Sequence, residues 1–189
     1  MSGNLFVISG PSGAGKGTLV ERAFGVLDEL WLSVSATTRK PRPDELEGVH
    51  YFFLGDDQFD ALLAEDGFLE WAPVHGQRYG TLRTEVESRL ARGIDVVLEI
   101  DPQGAFQVRE KLPRAQLIFI EPPSLRELER RLIIRATETA EAIARRLRTA
   151  EVELAAKERY NVVITNDDLE TATSELVEFI TQHRLTKTV

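Results

Sequence analysis

A glycine-rich run near the N-terminus limits the folds open to this chain more than any other feature. It consists of Gly10, Pro11, Ser12, Gly13, Ala14, Gly15, Lys16, Gly17 and Thr18. An apolar segment over 5–9 precedes it, and a helical pattern of apolar residues begins at Leu19. A strand, a tight turn and a helix start in this order form a phosphate cradle, because backbone N–H groups and the helix N-terminus face the anion. The run therefore predicts a nucleoside triphosphate site, to which Lys16 adds a full positive charge.

Composition excludes several other classes of protein. The 189 residues include no cysteine, so disulfides, thiolate nucleophiles and cysteine-based zinc sites are excluded, and a reducing compartment is expected. The net charge of −8 argues against broad binding of nucleic acid. No apolar stretch approaches the ~20 residues of a membrane span, and no basic region precedes a hydrophobic one at the N-terminus. We expect a cytoplasmic protein with small-molecule substrates.

Short apolar runs alternate with helical patterns along most of the chain. Strands are predicted over 5–9, 31–35, 95–100, 116–120 and 161–165, and helices over 17–28, 82–91, 103–112 and from 124 onward. Ser124 with Glu127 and Asp167 with Glu170 are predicted to cap two helices. This alternation predicts an α/β protein of three layers, with a central, mostly parallel sheet covered on both faces.

Two segments depart from the alternation and are interpreted as insertions. The first, from about 35 to 81, carries a basic, proline-rich loop, a short strand over 50–53 and a helix near 57–64. The second, from about 126 to 158, contains two arginine-rich helical stretches. Insertions at the C-terminal edge of an α/β sheet usually carry binding residues.

The first insertion contains residues suited to a phosphate group. Arg39 and Arg42 flank prolines that stiffen the loop, which lowers the entropy lost when an anion is bound. Guanidinium groups match a phosphate monoester, and the hydroxyls of Tyr51 and Tyr79 could add neutral donors. A solvated surface turn is the alternative interpretation of this loop.

Ser35, Glu70 and Thr81 form a second set in the same segment. One carboxylate and two hydroxyls suit the pairing edge of guanine, which presents two adjacent N–H donors and the acceptor O6. Adenine would place a lone pair against the carboxylate. Taken singly, each of these residues is more often a cap or a surface group.

Together these motifs resemble bacterial-type guanylate kinases over nearly the whole chain. The resemblance rests on the glycine-rich run and on six further motifs: Ser33–Pro43, Gly48–Phe53, Phe68–Ala72, Tyr79–Thr81, Leu98–Asp101 and Arg135–Thr139. It implies transfer of the γ-phosphoryl group of ATP to GMP with Mg²⁺. It also implies a P-loop core of 1–34, 85–125 and 159–189, a GMP-binding insertion over 35–84 and a helical lid over 126–158.

The resemblance also implies roles for individual residues. Lys16, Arg39, Arg135 and Arg146 correspond to catalytic cations, and residues 10–18 to the ATP-binding loop. The residues that correspond to GMP ligands are Ser35, Arg39, Arg42, Tyr51, Glu70, Tyr79, Thr81 and Asp101. Asp101 helps hold either the acceptor or the hydrated metal, and these two roles stay open.

Three departures from the family pattern affect the metal and the lid. Gly17 stands where family members commonly have Ser, so magnesium is expected to be held largely by phosphates and water, with Thr18 or Asp101 as possible direct ligands. Ile134 and Ala136 flank the lid arginine where glycines are usual, which could alter lid motion.

Other functions and the assembly state remain open at this stage. An adenylate kinase-like enzyme would share the loop and lid but not the guanine-matching set. A non-catalytic guanylate kinase-like interaction module would typically have a degraded loop. A GTPase is disfavoured because no Asn-Lys-x-Asp motif is present. Monomer and homo-oligomer are both compatible with the sequence.

Overall fold

The computed structural model describes residues 3–135 and 139–185. The strands are β1 (Leu5–Ser9), β2 (Leu30–Leu32), β3 (Ala36–Thr37), β4 (Phe52–Phe53), β5 (Phe68–Val74), β6 (Gln77–Leu82), β7 (Asp95–Glu99), β8 (Gln116–Glu121) and β9 (Val162–Thr165). The α-helices are α1 (Lys16–Phe24), α2 (Asp56–Ala64), α3 (Arg83–Ala91), α4 (Pro102–Lys111), α5 (Leu125–Arg135), α6 (Ala140–Ala155) and α7 (Leu169–Leu185). A 3₁₀ turn covers Lys157–Arg159.

A five-stranded parallel sheet forms the centre of the molecule. Its strand order is β2-β7-β1-β8-β9. Successive β1 side chains point to opposite faces, so Phe6 packs with apolar residues of α1 and α7, while Val7 packs with those of α3 and α4. Both faces are therefore buried, and the predicted three-layer α/β arrangement is confirmed.

The carboxyl ends of these parallel strands all lie at one edge of the sheet. At this edge the glycine-rich loop follows β1, Asp101 follows β7 by two residues, and Asn166 directly follows β9. Residues far apart in sequence are thereby brought to the same edge, which is where ligands bind in open α/β sheets.

A second, four-stranded sheet lies between β2 and α3 in sequence. Its order is β4-β3-β6-β5, and β5 and β6 form an antiparallel hairpin whose tip is His75-Gly76, both with positive φ. Phe59 of α2 stacks on Phe68 of β5 with ring centroids 4.3 Å apart, which gives this sheet a small core of its own.

Helices α5 and α6 pack against each other beside the glycine-rich loop. Leu128 and Leu132 of α5 pack against Ala150 of α6. The same two leucines approach Gly13, where an added Cβ would lie 3.0 Å from Leu128 Cδ1. The helix pair is thus in contact with the loop.

Several local predictions were wrong or incomplete. The β5–β6 hairpin was missed, and β2 ends at Leu32 rather than at residue 35. The α7 cap is Asp168 rather than Asp167, since Asp168 Oδ1 accepts the backbone N–H of Thr171 at 2.8 Å. The Ser124 cap is confirmed by the hydrogen bond that Ser124 Oγ accepts from Glu127 N. In the described ranges no helix is both long and apolar enough to cross a bilayer.

Candidate active site

The glycine-rich loop adopts the cradle that its sequence predicts. Gly10, Gly13 and Gly15 all have positive φ, and Gly15 leads directly into α1. At Gly10 an added Cβ would lie 2.0 Å from the carbonyl oxygen of Ile120, so this turn admits only glycine. The successive N–H groups and the start of α1 make an anion-binding concavity at the end of β1.

Lys16 lies inside this concavity. Its Nζ donates to the carbonyl oxygens of Gly10 at 2.6 Å and Pro11 at 3.2 Å. Burial lowers its pKa from the ordinary value, and the nearby carboxylates of Glu99, Glu153 and Asp101 partly oppose that shift. A phosphate oxygen could replace either carbonyl as an acceptor without moving the helix.

Asn166 stabilises the glycine-rich loop and was not identified from the sequence. Its Nδ2 donates to the Ala14 carbonyl at 2.7 Å in a buried position, and it lies 2.3 Å from where a Cβ on Gly15 would be. Its backbone carbonyl oxygen accepts from the Arg131 guanidinium of α5 at 3.0 Å. Its place after a buried parallel strand, at the same edge as the loop, was the available signal.

A cavity of about 280 Å³ opens beside Asn166 on the outer side of the loop. Gly13, Thr18, Arg131 and Asn166 are among the residues that line it. Its position next to the phosphate cradle suits the base and ribose of a bound nucleotide.

Glu70 and Thr81 face each other across the β5–β6 hairpin. The two residues are register partners, and Thr81 Oγ1 donates to Glu70 Oε1 at 2.7 Å. Glu70 is only 7% exposed, and burial raises its pKa to about 6, with a smaller contribution from the charge of Asp101. A carboxylate held in this way can accept hydrogen bonds from a planar donor pair once it is ionised.

Ser35 and Thr81 line a second cavity, of about 200 Å³, together with Tyr51 and Glu99. This cavity lies between the carboxyl ends of β2 and β7 and the second sheet. The predicted base-contacting hydroxyls and one predicted phosphate-contacting tyrosine thus share one cleft.

The predicted phosphate-binding loop is organised around a carboxylate. Arg39 is bound by Glu45 through both terminal nitrogens, at 2.7 and 2.9 Å, and the Arg42 backbone N–H donates to Glu45 at 2.8 Å. The Arg39 guanidinium lies 5.3 Å from the centroid of the Tyr51 ring, which is 5.9 Å from the ring of Tyr79. Glu45 was missed because a single Glu in a loop of mixed charge carries no distinguishing signal. The Arg42 side chain is exposed.

Asp101 and Glu99 lie at the end of β7. Asp101 Oδ1 accepts the backbone N–H of Gly104 at 2.8 Å and so caps α4. A Cβ on Gly17 would lie 3.7 Å from Glu99 Oε2, which places this carboxylate beside the position that lacks the usual hydroxyl. Among the described residues, no three His, Cys, Asp or Glu side chains cluster as a metal site.

A third cavity, of about 530 Å³, lies between α6, the glycine-rich loop and the hairpin tip. Ser12, His75, Arg145, Arg146 and Glu153 are among its lining residues. Arg146 donates to Ser12 Oγ at 2.8 Å. Arg135 ends α5, but its side chain lies outside the described part of the structure, as do residues 136–138.

Comparisons with known proteins agree with this architecture. The guanylate kinase family model matches residues 2–183. A guanylate kinase of Synechococcus sp. (strain CC9311) is 54% identical over 170 residues, covering 90% of each chain. One of Streptomyces coelicolor is 53% identical over 173 residues, covering 92% of this chain and 88% of that protein.

Solved structures give the same result. The crystal structure of guanylate kinase from Anaplasma phagocytophilum superimposes with a TM-score of 0.72 at 33% identity, covering 96% of this chain and 86% of that one. With a matching family model over nearly the whole length, relatives above 50% identity and the superimposed fold, the chain belongs to the guanylate kinase family.

Proposed function

We propose that this protein transfers the γ-phosphoryl group of ATP to the phosphate of GMP, giving ADP and GDP. The observation that carries the proposal is the cleft in which Ser35, Thr81 and Tyr51 meet, with Glu70 bound to Thr81 and Arg39 beside Tyr51. Groups that match guanine and groups that match a phosphate monoester therefore border the same cleft.

The acceptor is proposed to lie in this cleft with its base on the hairpin. Glu70 accepts two N–H donors of guanine, while Ser35 and Thr81 satisfy the remaining polar edge. Arg39, Arg42, Tyr51 and Tyr79 bind the phosphate, and Asp101 holds the acceptor from the core side. Adenine would place a lone pair against Glu70, so AMP should be a poor acceptor.

The donor is proposed to lie on the opposite side of the cleft, with its phosphates in the loop of residues 10–18. Lys16 moves from the Gly10 carbonyl to the β- and γ-phosphates. Arg146, which already contacts Ser12, and Arg135 add positive charge from the lid. Arg131 and Asn166 border the cavity available to the adenosine part.

Phosphoryl transfer needs no covalent intermediate with the protein. The γ-phosphoryl group passes directly to the acceptor phosphate, and its charge spreads over the equatorial oxygens in the transition state. Lys16, Arg39, Arg135 and Arg146 are proposed to stabilise that charge, while the two clefts hold the reacting oxygens in line.

The residues present fit a magnesium ion that is held mostly by substrate. Mg²⁺ prefers oxygen ligands and keeps several waters, and Glu99, Asp101 and Thr18 supply oxygens near the loop. Thr18 or Asp101 would hold the ion directly or through water. When bound, the ion neutralises phosphate charge and orients the donor.

The division into core, GMP-binding insertion (35–84) and lid (126–158) remains part of the proposal. The separate small core around Phe59 and the separate α5–α6 contacts around Leu128 support it. His75 of the hairpin tip and Arg146 of α6 line one cavity. Closure of the GMP-binding insertion and the lid over this cavity would exclude water from the phosphates. We also propose a cytoplasmic location and no membrane or nucleic-acid partner.

A coupled ADP-release assay with GMP, AMP, CMP and UMP tests the proposal. Turnover with GMP that exceeds turnover with the other three supports it. Preference for AMP would instead favour an adenylate kinase-like enzyme. Absence of turnover with all four, despite a folded protein, would favour a non-catalytic interaction module.

A further inference from the structure

We propose that Gly104 of α4 is a positioning residue for guanine recognition, because the lack of a side chain there leaves the space that the Glu70 carboxylate occupies. This inference rests on the proposed function, in which Glu70 binds the acceptor base. It concerns a residue that contacts Glu70 rather than the nucleotide.

The space between α4 and β5 is too small for a methyl group. A Cβ on Gly104 would lie 2.9 Å from Glu70 Oε2 and 3.4 Å from Glu70 Cδ, with Ile100 Cδ1 at 3.3 Å. Real Cβ atoms essentially never approach a neighbour within 3.0 Å. Any larger residue at this position must therefore displace the carboxylate or the helix.

Glu70 cannot move aside without losing its own contacts. Its other oxygen, Oε1, accepts the Thr81 hydroxyl at 2.7 Å, and the side chain is nearly fully buried. A displaced carboxylate would break this hydrogen bond while remaining largely buried, and an unpaired buried polar group is costly.

Helix α4 is also fixed relative to β5, on both sides of Glu70. The Gln107 side-chain amide accepts from Trp71 N and donates to Trp71 O, both at 3.1 Å, as a neighbouring strand would. Lys111 donates to the Phe68 carbonyl at 2.6 Å. At the helix start, the Gly104 N–H is held by Asp101. The helix therefore sets the distance between Gly104 and the carboxylate.

Backbone geometry does not itself require glycine here. Gly104 lies in the first turn of an α-helix and does not have a positive φ. Alanine is the better helix former, so helix stability alone would favour Ala over Gly. The requirement comes from the neighbouring Glu70, which links the residue to base recognition.

A double-mutant cycle with Gly104→Ala and Glu70→Asp tests the inference. Gly104→Ala should raise the KM for GMP by about ten- to a hundredfold, because a bidentate base contact is disturbed. The KM for ATP should change little, and the preference for GMP over AMP should fall. In the Glu70→Asp background, the shorter carboxylate leaves room for the methyl group, so Gly104→Ala should have little further effect.

The control is Gly55→Ala, at the cap of α2, where an added Cβ would meet only Gln58 Oε1 at 3.5 Å. An equal effect of Gly104→Ala in the Glu and Asp backgrounds would overturn the inference, as would an unchanged KM for GMP. If Gly104→Ala impairs folding, the same cycle is measured on melting temperature, and the inference then requires that Glu70→Asp restore it. Failure of the wild-type protein to prefer GMP would instead contradict the proposed function.

Discussion

Glu45 binds Arg39 through both terminal guanidinium nitrogens and at the same time accepts the backbone N–H of Arg42. The hydrogen bond from Arg39 is the main reason that the pKa of Glu45 falls to about 2, and the same bond raises the pKa of Arg39. One carboxylate thus closes the loop that carries both proposed phosphate ligands, and it holds the Arg39 guanidinium near the Tyr51 ring.

We predict that Glu45→Gln weakens GMP binding, although it removes a negative charge near the proposed phosphate site. The neutral amide cannot accept both Arg39 nitrogens and the Arg42 N–H, so the loop must be ordered when GMP binds. The KM for GMP should rise several-fold, with a smaller change in kcat and none in the KM for ATP. Asp44→Asn, at the neighbouring exposed position, is the matched control. Tighter GMP binding would show that Glu45 competes with the phosphate instead.

The fold and the site were not equally predictable from the sequence. The central strands are short apolar runs that follow from periodicity, and the loop of residues 10–18 carries its own glycine and lysine pattern. The β5–β6 hairpin was missed because Glu70, Arg78 and Thr81 interrupt its apolar alternation. Its register depends on pairing across a His75-Gly76 turn that is not a common hairpin signal.

Residues that act on other residues were the hardest to identify. Asn166 holds the Ala14 carbonyl, a contact that exists only after distant segments have packed together. Glu45 holds Arg39 within the same loop, but nothing in the local pattern distinguishes it from the other charged residues there. Gly104 is similar, since its constraint comes from a carboxylate on another element. Local patterns identify groups that would meet a ligand more readily than groups that hold them in place.

We predict that Lys16→Ala abolishes detectable phosphoryl transfer while the protein remains folded. The variant removes a cation positioned on the moving phosphoryl group. In the free protein the Lys16 ammonium donates to the Gly10 and Pro11 carbonyls of the loop itself, so its removal should leave the fold intact. The turnover number and the melting temperature are the measurements. Removal of one positioned charge usually lowers kcat by much more than tenfold. Retention of more than about a tenth of the wild-type kcat would therefore contradict the assigned role.

Gly17→Ser is predicted to be tolerated and to lower the magnesium concentration needed for half-maximal rate. Gly17 has ordinary helical backbone, and an added Cβ would meet Glu99 Oε2 at 3.7 Å, which is a normal contact. The new hydroxyl would supply the ligand that the loop lacks. Magnesium titrations at saturating ATP and GMP measure the effect, and Gly17→Ala separates the hydroxyl from the added methylene. An inactive but folded Gly17→Ser protein would show that the metal is not held mainly by phosphates and water.

Glu70→Gln should stabilise the free protein at neutral and higher pH. The pKa of Glu70 is raised from 4.5 to about 6 in the fold, so the folded chain binds this proton more tightly than the unfolded chain. Stability from this group is therefore present below about pH 4.5 and is lost as pH rises through about 6. At pH 8 the buried charge costs about 2 kcal/mol, from 1.36 kcal/mol per unit of pKa.

Denaturant unfolding of Glu70→Gln should show a gain in the free energy of unfolding of up to this size at pH 8 and a smaller gain at pH 5. Glu47→Gln, at an exposed position, is the control, and an equal gain at both pH values would contradict the shift.

The same carboxylate should make GMP binding dependent on pH. Only ionised Glu70 accepts both guanine donors, so the KM for GMP should rise as pH falls through about 6, by about tenfold at pH 5. The phosphate of GMP titrates near the same pH, but its contribution is common to wild type and Glu70→Gln. The ratio of the two kcat/KM profiles therefore isolates the contribution of Glu70 ionisation.

At pH 8 Glu70→Gln should lose about ten- to a hundredfold in kcat/KM for GMP, and this difference should shrink towards pH 5. Parallel profiles for the two proteins would place Glu70 outside the base site, and an equal loss for ATP would assign it a structural role.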